Sequence, residues 1–377
     1  MDDPRRYPDA SAAPHGAARL HDLALASHAA ATAQSADARD AEIACAIDDL
    51  LRPGHGDALA AVFASAPSAA VHRHLWRVLA QRERAGAPDP ASLVRLFALP
   101  VVVVAGIEGG AAGATTLPGV IDEVSTLTAI LREHGALAGN EAIALGKALV
   151  AADALDFARL PDLLAWRAMA DAPTAPHALP PAPIAVAAGA EGVHLRFLVG
   201  TLLAAPGADP MRAAEVGKWG MPVAQALSRV LAAPGVPVLA LPRAPQPLVT
   251  ALWQGRQAQR EVGAQLFASN AIRKLRAATG EPTAVISVHR MDSPPGGGEV
   301  RLSLSSPFDP RQAEGLRCSL LPLDRVLDVV QMLETLLADC RVRDVRREPG
   351  VHADRDPATG MTLLFKSDGG RPAPAVH

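Results

Sequence analysis

A chain of 377 residues is too long for one ordinary hydrophobic core and long enough for two, or for one large domain with appendages. Hydrophobic residues make up 49% of it but aromatic residues only 3%, so its core is one of Leu, Val and Ala, and deep stacked cofactor sites are disfavoured. The formal net charge of −3, from 36 basic and 39 acidic side chains, supplies no general attraction for nucleic acid or for an anionic membrane.

Residues 1–35 are rich in Ala, Pro, His and Asp without periodicity and are expected to be mobile. Their opening, MDDPRRYPDASAAPHG, has no apolar run behind its charges, which argues against a secretory signal. Residues 36–88 read as a helical block. Ile43, Ile47, Leu50 and Leu51 recur at helical spacing until Pro53-Gly54; a second helix is expected over 57–65, capped by Asp57; a third over 68–84 carries Val71, Leu75, Val78 and Leu79 on one stripe. AGAPDP, residues 85–90, is the connector out of the block.

The region 89–245 is expected to be mixed α/β and to be organised around residues 93–119. Val101, Val102, Val103 and Val104 are β-branched and favour extended backbone. Because the run is continuous rather than alternating, it predicts a strand covered on both faces. Gly106, Gly109, Gly110 and Gly113 follow, then Thr115 and Thr116, with Thr116 read as a helix cap and Pro118 in the first turn. Strand, glycine loop and helix N-terminus together outline an anion site, so these glycines and threonines are candidate ligand-binding residues. Three details weaken that outline: no Lys lies between Leu93 and Gly119, the spacing G-x-x-G-G-x-x-G is not a dinucleotide fingerprint, and Glu108 sits inside the would-be cradle.

Further helices are expected over 120–134, 140–152 and 160–170, followed by a proline-rich crossing at 172–183 that reads as a domain seam or a solvent loop. PIAVAAGAEGV, from Pro183, echoes PVVVVAGIEGG, from Pro100; as a duplication this would set Glu108 and Glu191 at equivalent strand ends. Residues 195–203 are read as a strand that forms a hairpin with 183–188 through Glu191-Gly192. A helix capped by Asp209 and a short buried strand over 236–242 complete the region.

Residues 246–377 are expected to form a long helix over 247–279 and then a ββαββ unit, an antiparallel sheet with a helix on one face. TAVISVHR and EVRLSLSS alternate on either side of DSPPGGG, a hairpin pattern with Ala284, Ile286, Val288, Val300, Leu302 and Leu304 inward and Ser287, His289, Arg301 and Ser303 outward. PLDRVLDVVQMLETLLA is a strongly periodic helix; RVRDVRRE and MTLLFK are the closing strands. The fold class is therefore α+β: helical N-terminal block, central mixed α/β region, C-terminal ββαββ sheet.

The clusters that can carry chemistry are sparse. His72 and His74 point about 200° apart on a helix and cannot share one ion, and His352, Asp354 and Asp356 fit a hairpin turn better than a cation loop. Arg273, Lys274 and Arg276 form a basic helix face that is a candidate anion site, although cations near a helix C-terminus also complement its dipole. Cys45, Cys318 and Cys340 lack C-x-x-C spacing, which suits a reducing cytosol. No nucleophile elbow and no zinc or kinase signature is present, and no apolar run is long enough for a membrane span. The expectation is thus a cytoplasmic, bacterial-type interaction, adaptor or regulatory protein without catalytic activity, metal or cofactor, whose partner is another protein or itself. The alternative is a small-ligand binder or enzyme using the loops at 105–116 and 188–193, with Glu108 and Glu191 as acid/base candidates.

Overall fold

The computed structural model describes residues 13–85, 94–106, 114–136, 143–168, 172–176, 179–187, 191–203, 216–290, 298–308, 312–348, 363–366 and 372–374. Contacts divide the chain into two units. One comprises Met1–Ala66 and Ala70–Arg256; the other comprises Gln257–His377 with Pro67–Ala69.

The first unit opens with α1 (Ala13–His28), α2 (Ala33–Leu50), α3 (Gly56–Ala64) and α4 (Ala69–Ala85). The expected mobility of residues 1–35 does not hold from Ala13 onward, because α1 packs on α2 and α3. Its buried stripe of Ala17, Leu20, His21, Ala24 and Ser27 is mostly small or polar, so it leaves little hydrophobic periodicity to read. His21 donates from Nε2 to the Val62 carbonyl at 2.9 Å, and Ser27 donates to Asp40 at 2.7 Å. Thr32 and Ser35 form a reciprocal cap at the start of α2. The stripe read for α4 is buried as expected, whereas α3 starts one residue early and takes no side-chain cap from Asp57.

The central elements are β1 (Val94–Ala105), β2 (Thr115–Leu117), α5 (Val124–Glu133), β3 (Ile143–Val150), a 3-10 turn (Ala152–Leu155), α6 (Leu160–Ala168), β4 (Ile184–Val186), β5 (Gly192–Leu203), α7 (Val216–Val230) and β6 (Val238–Pro242). Strands β3, β5, β1 and β6 form an antiparallel sheet in that order. Val101, Val102 and Val103 are fully buried in its interior strand, as the valine run requires, and Val104 near its end is half-buried. Phe97, Leu99, Val101 and Val103 face a core shared with Ile121, Leu127, Trp219 and Leu227. The opposite face meets α8 (Leu248–Thr279), where a Cβ on Gly255 would lie 2.9 Å from Phe197, so the helix approaches the sheet closely at a position that only glycine fits without movement.

Several local expectations are corrected. Residues 115–117 form a strand rather than a helix cap, and the helix begins at Val124 behind Glu123. Residues 143–150, a run of helix formers, are a strand because β5 supplies a partner along the sheet, and pairing overrides propensity. β4 pairs with β2, and β5 pairs with β1 and β3, so no hairpin turns at Glu191-Gly192. The echoed segments therefore play different parts: Pro100 lies inside a twelve-residue central strand, whereas Pro183 precedes a three-residue strand of a two-stranded sheet. The proline-rich crossing has the same unit on both sides and is no domain seam.

The second unit contains the C-terminal part of α8, then β7 (Thr283–Arg290), β8 (Gly298–Ser305), β9 (Ala313–Ser319), α9 (Val326–Asp339), β10 (Asp344–Glu348), β11 (Leu363–Lys366) and β12 (Pro372–Pro374). The α+β class stands, with a C-terminal sheet ordered β10-β7-β8-β9 and both helices on one face, where Ile272, Leu275, Leu333 and Leu337 meet Ile286, Val300 and Leu302. Within that unit the strand order differs from ββαββ. β9 is an additional strand, α9 is the crossover that brings β10 parallel to β7, and β11 pairs with β12 instead of β10. Ser287, His289, Arg301 and Ser303, expected to face water, are each about 1% exposed, on the face against which β11 lies.

Candidate functional site

The sequence-nominated groups fall into two places. At the end of β1, Ala105 is paired with Gly192 and Val238, and the Gly106 N–H donates to the Pro237 carbonyl at 3.4 Å. The two glycine-rich segments thus leave the sheet at the same end. Gly106 leaves a space that Glu191 fills, since a Cβ there would lie 2.7 Å from the Glu191 Cγ. Beside it His194 is held below its usual range by burial and by Arg196, and burial also lowers Arg196. Arg196 is committed to structure, donating to the Ala182 and Pro183 carbonyls at 2.7 and 2.8 Å. Thr115 and Thr116 lie on β2, paired with Val186 and Ala185, and expose no helix N-terminus. Glu108, Gly109, Gly110 and Gly113 lie outside the described residues, as do His352, Asp354, Asp356 and Asp209.

The basic face of α8 is assembled into the fold. Lys274 pairs with Glu314, Arg273 donates to Asn270 at 3.0 Å, and Arg276 pairs with Glu281 at 3.0 Å while donating to the Cys340 carbonyl at 2.9 Å. Arg276 therefore caps the end of α9, whose last carbonyls need donors. His72 and His74 part company as helical geometry demands: His74 meets Asp40 at 2.9 Å, and His72 lies edge-on to Phe63. All three cysteines are free, with Cys45 exposed and Cys318 buried, where desolvation pushes its thiol up to about 11. Among the described residues no group of three or more His, Cys, Asp or Glu is placed to hold a metal ion, and no helix is long and apolar enough to cross a membrane.

Two buried charged centres went unread in the sequence. Glu83 reaches the start of α8 and accepts the Val249 N–H at 3.0 Å, an anion at a positive helix end. Arg167, 4% exposed, lies in its field; burial and Arg95 lower its affinity for a proton, and Glu83 opposes them. In the second unit the Asp324 carboxylate, about 1% exposed, pairs with Arg260 and accepts the Leu321 N–H at 2.6 Å, fixing the turn into α9. Both carboxylates sit in helix-rich sequence where a surface charge is the ordinary reading, and only the fold brings their partners together.

A third feature is a recess of about 130 Å³ in the first unit. Its walls are built locally. Asp156 accepts the Arg159 N–H at 3.2 Å, a turn that delivers the chain into α6; Pro161 and Asp162 then occupy the first helical turn, where a missing N–H and an acidic side chain both suit the helix. Asp162 accepts the Gly54 N–H at 3.3 Å, and Thr201 donates to the Thr174 carbonyl at 2.7 Å, pinning the proline crossing to β5. Leu163, Trp166, Pro176 and Leu179 line the interior, with Arg159 and Asp162 among its polar lining residues. No family model, no curated protein and no solved structure matches this chain. The recess is apolar and aromatic within, with an exposed arginine whose guanidinium has no ion pair or hydrogen bond among the described residues. The signal available in sequence was Trp166, one of only four tryptophans, beside a proline-rich run.

Proposed function

We propose that this chain is an interaction protein, an adaptor or regulatory component of a bacterial-type cytoplasm, that holds another protein without catalysing a reaction. The observation that carries the reading is the recess between the 3-10 turn, α6 and the proline crossing, which combines an apolar interior with Arg159, whose guanidinium has no partner among the described residues. A preformed hollow of this kind is how a partner's anchor side chain is held. The nominated anion face on α8 supports the same reading, because its Lys274 and Arg276 are ion-paired within the chain. The test is capture of binding partners by the tagged full chain, compared with an Ala154→Leu variant that narrows the recess. Partners held by the first and released by the second support the reading; identical capture by both, or none by either, removes it.

A second reading, a small-ligand site or enzyme at the glycine loops, has one observation in its favour: the Ala105–Gly192 pairing brings both loops to one end of the sheet. Glu108 and Glu191 would be its working carboxylates. A ligand of such a site raises the unfolding midpoint by mass action. A screen of nucleotides, divalent metals and sugar phosphates that produces no shift eliminates it.

A further inference from the structure

We infer that the recess beside α6 recognises one aromatic ring carrying a nearby carboxylate, the unit that an acidic partner segment presents around a single phenylalanine. This rests on the interaction reading and names the chemistry of its partner. Volume is the first argument. At about 130 Å³ the hollow is too small for a nucleotide or a redox cofactor, whose sites run to roughly 300 Å³ and more. It is close to the roughly 150 Å³ at which an apolar cavity takes up benzene.

The lining supplies the second argument. Leu163 and Pro176 are buried apolar walls, and the half-buried Trp166 offers an indole face or edge to a ring. Charge supplies the third. Asp162 has one oxygen engaged by the Gly54 N–H and lies in the first turn of α6, whose positive end offsets its charge. Arg159 is exposed and makes no such commitment among the described residues, so the recess offers a planar guanidinium fork, which matches a carboxylate.

The experiment is a ligand-observed NMR titration of the full chain with phenylacetate, benzyl alcohol and benzylamine, and with an end-blocked Asp-Phe-Asp tripeptide. Saturable phenylacetate and tripeptide binding, about tenfold tighter than benzylamine, is expected from one charge-assisted contact. Arg159→Gln, a change at an exposed position that leaves the fold intact, should erase that preference while benzyl alcohol binding persists; Ala154→Leu should abolish all binding. Absence of saturable binding, equal or tighter binding of benzylamine, or a preference unchanged by Arg159→Gln overturns the inference. Phenylacetate binding without the tripeptide also overturns it, because the occupant is then a small molecule, and so does self-association in light scattering that Ala154→Leu removes. The two readings fail separately. Ring-plus-carboxylate binding with no captured partner sinks the adaptor function alone, whereas partner capture with no probe binding sinks the recess chemistry alone.

Discussion

Acid is expected to strike the helical block at His72. Its ring lies 5.2 Å from Phe63 at 70°, Phe63 in turn stacks on Phe157 at 4.2 Å, and the His72 Nδ1 is buried with no hydrogen-bond partner among the described residues. Desolvation holds the imidazole neutral, lowering its pKa from 6.5 to about 4. The folded value lies below the unfolded one, so the unfolded chain takes up the proton first. Stability is intact above 6.5, falls as the pH drops from 6.5 to about 4, and does not fall further on this account once both states are protonated. At about 1.4 kcal/mol per pH unit the interval corresponds to ~3 kcal/mol at most. Because the ring keeps some contact with water, about 1–2 kcal/mol is the expected size. Trp76, Trp166, Trp219 and Trp253 all lie in the first unit, so tryptophan fluorescence during urea unfolding reports that unit alone. Wild type should lose that amount relative to His72→Leu across the interval. Parallel curves for the two proteins, or an imidazole that titrates near 6.5 by NMR, would refute the argument.

Three other outcomes follow from the buried groups. Glu83→Gln leaves Arg167 buried without its compensating charge and weakens the start of α8, so it should cost the first unit about 2–4 kcal/mol in urea unfolding. Asp324→Ala removes the partner of Arg260 and of the Leu321 N–H, and hydrogen exchange should show α9 and β9 losing protection worth about 3–5 kcal/mol while the central sheet keeps its own. Iodoacetamide at mild alkaline pH should label exposed Cys45 in the native chain and reach Cys318 only after unfolding, because its thiol is buried and protonated up to about 11.

What the sequence disclosed follows from which signals are local. The valine run, the α4 stripe, the helix formers of α8 and the alternation of β7 and β8 are each carried by neighbouring residues, and each element is present. The misread segments depend on partners far along the chain. Residues 143–150 hold Ala, Leu and Lys, which favour a helix when judged alone, but a strand fifty residues later pairs with them. Thr115 and Thr116 look like helix-cap chemistry, yet β4 takes them into a ladder. β9 escaped notice because Glu314, Gly315 and Arg317 interrupt any apolar rhythm, while β8 beside it supplies the register. The recess was not legible, since Arg159 and Pro176, far apart in sequence, line it together only in the fold, where Thr201 holds the proline crossing.

The polar face of the second sheet shows why alternation misjudged exposure there. Alternation tells which side chains share a face, and Ser287, His289, Glu299, Arg301 and Ser303 do share one. It does not tell whether that face is covered. With β11 lying against β7 and β8, a face composed for water is buried and must satisfy itself: Arg301 pairs with Glu299, and Ser287 meets the His289 Nε2 at 2.8 Å. Both partners lie on β8, two residues apart, so the pair ties no strand to another; it gives up hydration that its attraction only partly restores and adds little net stability. Replacing Glu299 and Arg301 together by Leu and Met should therefore change the unfolding free energy of this unit by less than about 1–2 kcal/mol, whereas Glu299→Leu alone, which removes the carboxylate beside the buried guanidinium, should cost more, up to about 3–5 kcal/mol. A double variant as damaged as the single one would mean that the pair itself stabilises the sheet.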